Sequence, residues 1–200
     1  MKNSEATEKL RAIRDELLAF TTSPLYSYRT KNHYLPVVGE GSHEASIMFI
    51  GEAPGRNEAQ TGRPFCGMAG KILDELLAHI NLDRKSVYIT NIVKDRPPEN
   101  RDPTPEEIVV YGPFLDRQIE IIKPKVIATL GRFSMQYIME HLDLSLHIEP
   151  ISIAHGKLYT ANVSYGKVEV VPLYHPASAV YSRALLPIHK KDIEILKQFI

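Results

Sequence analysis

The stretch "SIMFIGEAPGRNEAQTGRPFCGMAGKILDELL", residues 46–77, decides the fold. It opens on a short apolar run, 46–50, that ends directly in glycine, as a buried parallel strand does. Residues 51–70 then pack five glycines and two prolines into twenty positions. Beyond them Ile72, Leu73, Leu76, Leu77 and Ile80 recur at helical spacing. Strand, glycine-rich loop and helix therefore follow in that order. In an open α/β sheet, such a loop lies where ligands bind, beyond the carboxyl end of a strand.

The same alternation continues downstream. "VYITNIV" (87–93) and "KVIATL" (125–130) read as further buried strands, and 157–174 reads as a hairpin that supplies the last one. Thr104, Pro105 and Glu107 form a capping-box start with proline at the first helical position. The helix it opens carries Ile108, Tyr111, Leu115, Ile119 and Ile122 on one face. A closing helix is expected at 187–199. Strands alternating with helices imply an α/β fold, a mainly parallel sheet covered on both faces. Polar stretches 51–66, 91–101 and 175–183 all fall at strand ends.

Bulk properties exclude several classes. At 200 residues the chain is expected to be one domain, with an N-terminal helix and irregular segment (1–45) before an α/β core (46–200). Lysine plus arginine equals aspartate plus glutamate at 24 each, so no overall cationic coat advertises a nucleic-acid partner. One cysteine forms no internal disulfide. The opening residues are charged and amphipathic, and no run approaches the ~20 apolar residues of a membrane span. A cytoplasmic protein with no membrane partner is expected.

The glycine-rich loop fits neither common phosphate-binding pattern. Gly67 and Gly70 precede Lys71 at the wrong spacing for a phosphate loop, and Ile72 replaces the magnesium-binding hydroxyl. G-x-G-x-x-G is absent as well. Phe65, held between glycines at a strand end, offers instead a flat surface for a planar ligand.

Four segments together, "GEAPGRNEAQTGRPFCGMAGKILDELL", "VYITNIVKDRPPENRDPTPEEI", "PKVIATLG" and "YHPA", resemble the family-four uracil-DNA glycosylases in order and spacing. The resemblance runs from about residue 23 to the end. It implies a three-layer α/β/α sandwich around a central, mainly parallel four-stranded sheet. It also implies an enzyme that flips uracil out of DNA and hydrolyses its N-glycosidic bond. Gly51, Glu52, Ala53 and Pro54 would line the base pocket, Phe65 would stack on the ring, and Asn91 would read its edge. His175 would lie near the ring oxygen that gains charge as the bond breaks. Many superfamily relatives carry aspartate where this chain and family four have Ala53, so Glu52 is the candidate to orient the attacking water, and Glu58 is expected to be a solvated loop charge.

The family also implies a four-iron cluster on four cysteines. This chain has Phe20, Ser23, Asp95 and Tyr111 at the matching positions, so no cluster is expected and no metal or other cofactor replaces it. Phe20 packing on Tyr111 is the expected substitute. Cys66 is expected to be a small buried apolar residue. The other histidines, including His141, His147 and His155, lack metal-ligand spacing.

The implied partner is DNA carrying a damaged or deaminated base, bound by a monomer. Arg63, Lys94, Arg96, Arg101 and Arg183, with Lys190 and Lys191, are the candidate phosphate contacts. Val180 or Tyr181 would fill the vacated stack. Two other readings stand beside this one: a degenerate nucleic-acid-binding member without chemistry, and a glycosylase for hypoxanthine or xanthine.

Overall fold

The apolar runs read as buried strands lie side by side in one sheet in the computed structural model, which describes residues 2–200. Its strands are β1 (Glu40–Gly41), β2 (Ile47–Gly51), β3 (Tyr88–Asn91), β4 (Val126–Leu130), β5 (Tyr159–Val163) and β6 (Gly166–Leu173), in the order β1-β3-β2-β4-β6-β5. The inner four run parallel, while β1 and β5 flank them antiparallel. The expected four-stranded sheet is thus corrected to six. The parallel centre matches expectation. The extra strands are a two-residue edge inside a segment read as irregular and the first arm of the hairpin, neither of which carries a long apolar run.

The helices are α1 (Lys2–Leu18), α2 (Tyr26–Lys31), α3 (Arg56–Thr61), α4 (Met68–His79), α5 (Pro105–Ile122), α6 (Arg132–His141), α7 (Ile151–Ala154), α8 (Ala177–Tyr181) and α9 (Leu186–Ile193). Alternation along β2 sends Met48 and Ile50 into one apolar layer, with Ile13 and Leu17 of α1 and Tyr111 and Leu115 of α5. Ile47 and Phe49 enter the other layer, with Leu73 and Leu77 of α4 and Ile193 of α9. Both faces of the sheet are therefore dry, which is why its strands are unbroken apolar runs.

Two local features position the site. The capping box at α5 is complete: Thr104 Oγ1 accepts from Glu107 N–H, and the Glu107 carboxylate accepts from Thr104 N–H. The glycine-rich loop is also more structured than its composition suggests. The short helix α3 lies within it and ends at Gly62, whose φ of 72° is a left-handed cap.

Candidate active site

Parallel pairing sets Gly51 opposite Asn91 at the carboxyl ends of β2 and β3. Gly131, following β4, donates its N–H to Leu173 at the end of β6, two residues before His175. These ends surround a cavity of about 290 Å³, lined by Glu52, Ala53, Pro54, Phe65, Asn91 and His175. Glu58, Asn100, Arg101 and Tyr181 also line it. A roomier hollow of about 670 Å³, near Lys9, His43 and Lys125, contains none of these groups.

Gly51 lies behind the wall rather than in it. A methyl there would run into Asn91 Oδ1 and stand 2.7 Å from the Phe65 ring, so glycine lets both side chains close on the cavity. Phe65 is held at φ 47°, a left-handed conformation that costs a non-glycine residue roughly 1–2 kcal/mol. Its surroundings enforce it. Gly70 leaves room for the Phe65 carbonyl, and Arg84 Nη2 donates to Pro64 O at 2.7 Å. Glu58 Oε1 accepts from Cys66 N–H at 2.9 Å and Gly67 N–H at 2.7 Å. Glu58 is therefore a loop clamp and not the solvated charge expected. A carboxylate answering two backbone donors eight and nine residues away leaves no periodic signal in sequence. Cys66 is half-buried, with Sγ 3.3 Å from Thr61 Oγ1, so the expectation of a small buried apolar residue is corrected too.

Asn91 is 2% exposed, and its Oδ1 has no hydrogen-bond partner among the described residues. A buried acceptor left unmade is costly, so this atom is poised for a donor from outside. His175 stacks at a tilt against Phe65, with ring centroids 5.7 Å apart. Ala177 N–H donates to His175 Nδ1 at 3.2 Å. A backbone amide can only donate, so Nδ1 is the acceptor and the neutral ring carries its proton on Nε2. Loss of water around the imidazole lowers its pKa to about 4, helped by nearby His189 and opposed by Glu58, so the ring is neutral at physiological pH. Glu52 is shifted the other way. Desolvation and the neighbouring Asp102 charge raise its pKa to about 7, against the pull of Arg132. Asp102 and Arg132, themselves paired at 2.5 Å, had no motif to announce them.

The candidate DNA contacts divide sharply. Lys94 is fully buried and spends its ammonium on internal acceptors. Arg96 is nearly buried, donating to Asn100 Oδ1 and to the hydroxyls of Tyr28 and Tyr34. Neither meets solvent well enough to hold a phosphate, because the loop after β3 folds inward under residues 28–38. Arg101 lines the cavity, with both terminal nitrogens on the Glu107 carboxylate at 2.9 and 2.6 Å. Arg63 and Arg183 are exposed and rest on Glu40 and Glu75 respectively. Tyr181 is 90% exposed beside the cavity, whereas Val180 is partly buried against the core.

The four positions that match cluster ligands do converge, but on different chemistry. Phe20 meets Tyr111 edge-on at 5.9 Å. The Tyr111 hydroxyl donates to Asp95 Oδ2 at 2.5 Å and hydrogen-bonds Ser23 Oγ. Arg29 Nη1 reaches both Asp95 oxygens, at 3.3 and 3.1 Å, and the carbonyl of Leu17. Burial raises the Asp95 pKa while Tyr111 and Arg29 hold it down. A phenyl ring, a hydroxyl, a carboxylate and a phenol, each already engaged, do not fit an iron–sulfur cluster. The surface and core histidines behave as side-chain packing: His141 stacks on Tyr137 and His155 bonds Asp192.

A mainly parallel sheet with a small cavity at its carboxyl edge defines an α/β protein with the ligand-site arrangement of open α/β folds. Residues 38–197 match the family described as Uracil DNA glycosylase superfamily. The chain is 47% identical over 167 residues to a type-4 uracil-DNA glycosylase of Archaeoglobus fulgidus, covering 84% of this chain and 82% of that one. It is 44% identical over 192 residues to the type-4 enzyme of Saccharolobus solfataricus, covering 96% and 86%. With that of Thermotoga maritima it shares 39% over 198 residues, covering 96% and 95%. The chain belongs to the type-4 family of the uracil-DNA glycosylase superfamily.

Proposed function

We propose that this protein excises uracil from DNA, and that the partnerless Asn91 Oδ1 at the cavity wall is the observation that carries the reading. A uracil flipped into the cavity stacks on Phe65. Its ring N–H donates to Asn91 Oδ1, and the Asn91 amide donates to the adjacent carbonyl oxygen. Cytosine presents the reverse pattern, an acceptor and a donor, and leaves both Asn91 groups opposed.

The bond from the sugar carbon to the base nitrogen then breaks, its electron pair leaving with the base. His175 Nε2–H donates to the base oxygen that gains charge, a role for which neutral imidazole suffices. Water adds to the oxocarbenium-like sugar carbon and gives its proton to Glu52, whose pKa of about 7 suits a general base. Arg63, Arg101 and Arg183 are the phosphate contacts in this reading. Tyr181, exposed beside the cavity, fills the vacated stack. In this reading the enzyme acts as a cytoplasmic monomer; no helix among the described residues is long and apolar enough to cross a membrane.

The reading includes activity without an iron–sulfur cluster or another cofactor. No cavity residue belongs to the Phe20–Ser23–Asp95–Tyr111 corner. The test uses purified protein on oligonucleotides bearing single uracil, hypoxanthine or xanthine, with alkali to cut abasic sites. Strand breaks at uracil are expected, from a sample without stoichiometric iron. No breaks on any substrate defeats the enzymatic reading, and breaks confined to hypoxanthine or xanthine move the specificity.

A further inference from the structure

Lys94 is the one fully buried lysine among the described residues, and no carboxylate touches it. Its Nζ donates to Gln118 Oε1 at 2.6 Å, Asn91 O at 2.7 Å and Thr90 Oγ1 at 2.8 Å. The orientation of each acceptor is settled from behind. The Thr90 hydroxyl gives its own proton to Val38 O at 2.6 Å. The Gln118 amide nitrogen donates to Val38 O at 2.8 Å and to the Tyr88 hydroxyl at 3.2 Å. Three ammonium hydrogens therefore meet three acceptors. Burial nonetheless pulls the lysine well below its ordinary pKa, with the Asp116 charge opposing that fall. Removing this side chain would leave the Asn91 carbonyl, Gln118 Oε1 and Thr90 Oγ1 without that donor inside the protein.

What the ammonium grips is the peptide carbonyl of the base-reading residue. Ile92 N–H donates to Gly51 O, so alternation turns the Asn91 carbonyl away from β2. On that other side β1 pairs only as far as Ile89. Lys94 supplies the donor that the short edge strand does not. The Asn91 Oδ1 has no partner of its own among the described residues, so the aim of the carboxamide is inherited from its backbone and its packing.

We propose that Lys94 is a positioning residue for base recognition, holding the Asn91 main chain from beneath so that its carboxamide faces the flipped base. This rests on the uracil-excision reading. The test compares Lys94→Met, which removes every donor, with Lys94→Gln, which keeps a neutral one, at a temperature well below both melting transitions. Single-turnover excision of uracil at saturating enzyme is expected to fall roughly 10- to 100-fold in Lys94→Met and less in Lys94→Gln. Affinity for DNA carrying an abasic site, which has no base to read, is expected to stay within about twofold of the wild type.

Folded variants that lose thermal stability but excise uracil at the wild-type rate overturn the proposal, as does an equal loss in abasic-site affinity. Failure of both variants to fold assigns Lys94 to stability and overturns it as well. A wild-type protein inert on uracil defeats the underlying reading, whereas an active wild type with unaltered variants defeats this inference alone.

Discussion

The base cavity and the N-terminal corner are two polar clusters built on opposite rules. At the corner, Tyr111, Ser23, Asp95 and Arg29 answer one another, and Phe20 covers the ring. At the cavity, Asn91 Oδ1 is left unanswered, Phe65 sits in a left-handed conformation, and Glu52 is held near neutrality. A satisfied buried network contributes to holding a fold together, whereas an unmade bond and a strained backbone at a cavity wall are what a ligand can complete. The corner carries Phe20, Ser23, Asp95 and Tyr111 where the family resemblance implies cluster cysteines, and none of the four lines the cavity of Glu52, Phe65, Asn91 and His175. The two regions are thus separable, and substitutions in each should read out differently.

The strongest break comes from the cavity. Asn91→Ala is expected to lower kcat/KM on uracil-containing DNA by roughly 10²- to 10³-fold. Its melting temperature should not fall, since the mutation removes an unpaired buried acceptor. Near-wild-type activity in that variant would remove Asn91 from base reading.

Glu52 tests the same region through pH. Only its ionised form accepts a proton, so excision should rise as pH passes upward through about 7 and level off above it. Stability linked to this group runs the other way. A carboxyl raised in the folded state stabilises below its unfolded value of 4.5, and that contribution is lost as pH rises towards 7. His175, lowered to about 4, stays neutral across this window and adds no limb. Rate profiles of the wild type and Glu52→Gln provide the check: the variant should be slow and flat where the wild type climbs.

The corner should respond in stability alone. Tyr111→Phe leaves Ser23 Oγ and Asp95 Oδ2 without the phenol and is expected to cost about 1–3 kcal/mol in denaturant unfolding. Tyr111→Ala also loses the contact with Phe20 and should admit proteolysis before residue 40, while cooled samples excise uracil normally. A loss of rate at low temperature would tie the two regions together. The smallest effect belongs to the rim. Arg63→Ala should weaken DNA binding uniformly across sequences and reduce the slope of log affinity against log salt by about one.

Much of this is legible in residues 46–77, because apolar periodicity and the glycine-rich break report directly on strand, loop and helix. Asn91 and His175 are findable for the same reason: they sit within a residue or two of strand ends, where neighbouring strands bring them together. Glu58, Lys94 and Arg96 escape a sequence reading because charge in a loop ordinarily means solvent. Nothing local distinguishes a lysine that folds beneath its own strand from one that faces water.

Sequence by itself determined the alternating α/β architecture, the parallel centre of the sheet, the capped start of α5 and the absence of four cluster thiolates, since each depends on residue type and near-neighbour spacing. Tertiary structure alone decided which polar groups were spent inside. It closed Glu58 on the loop, joined Asp95 to Arg29 and Tyr111, and left Asn91 Oδ1 unpaired. A hydrogen bond is a matter of distance and desolvation between groups far apart in the chain, and only the folded backbone sets both.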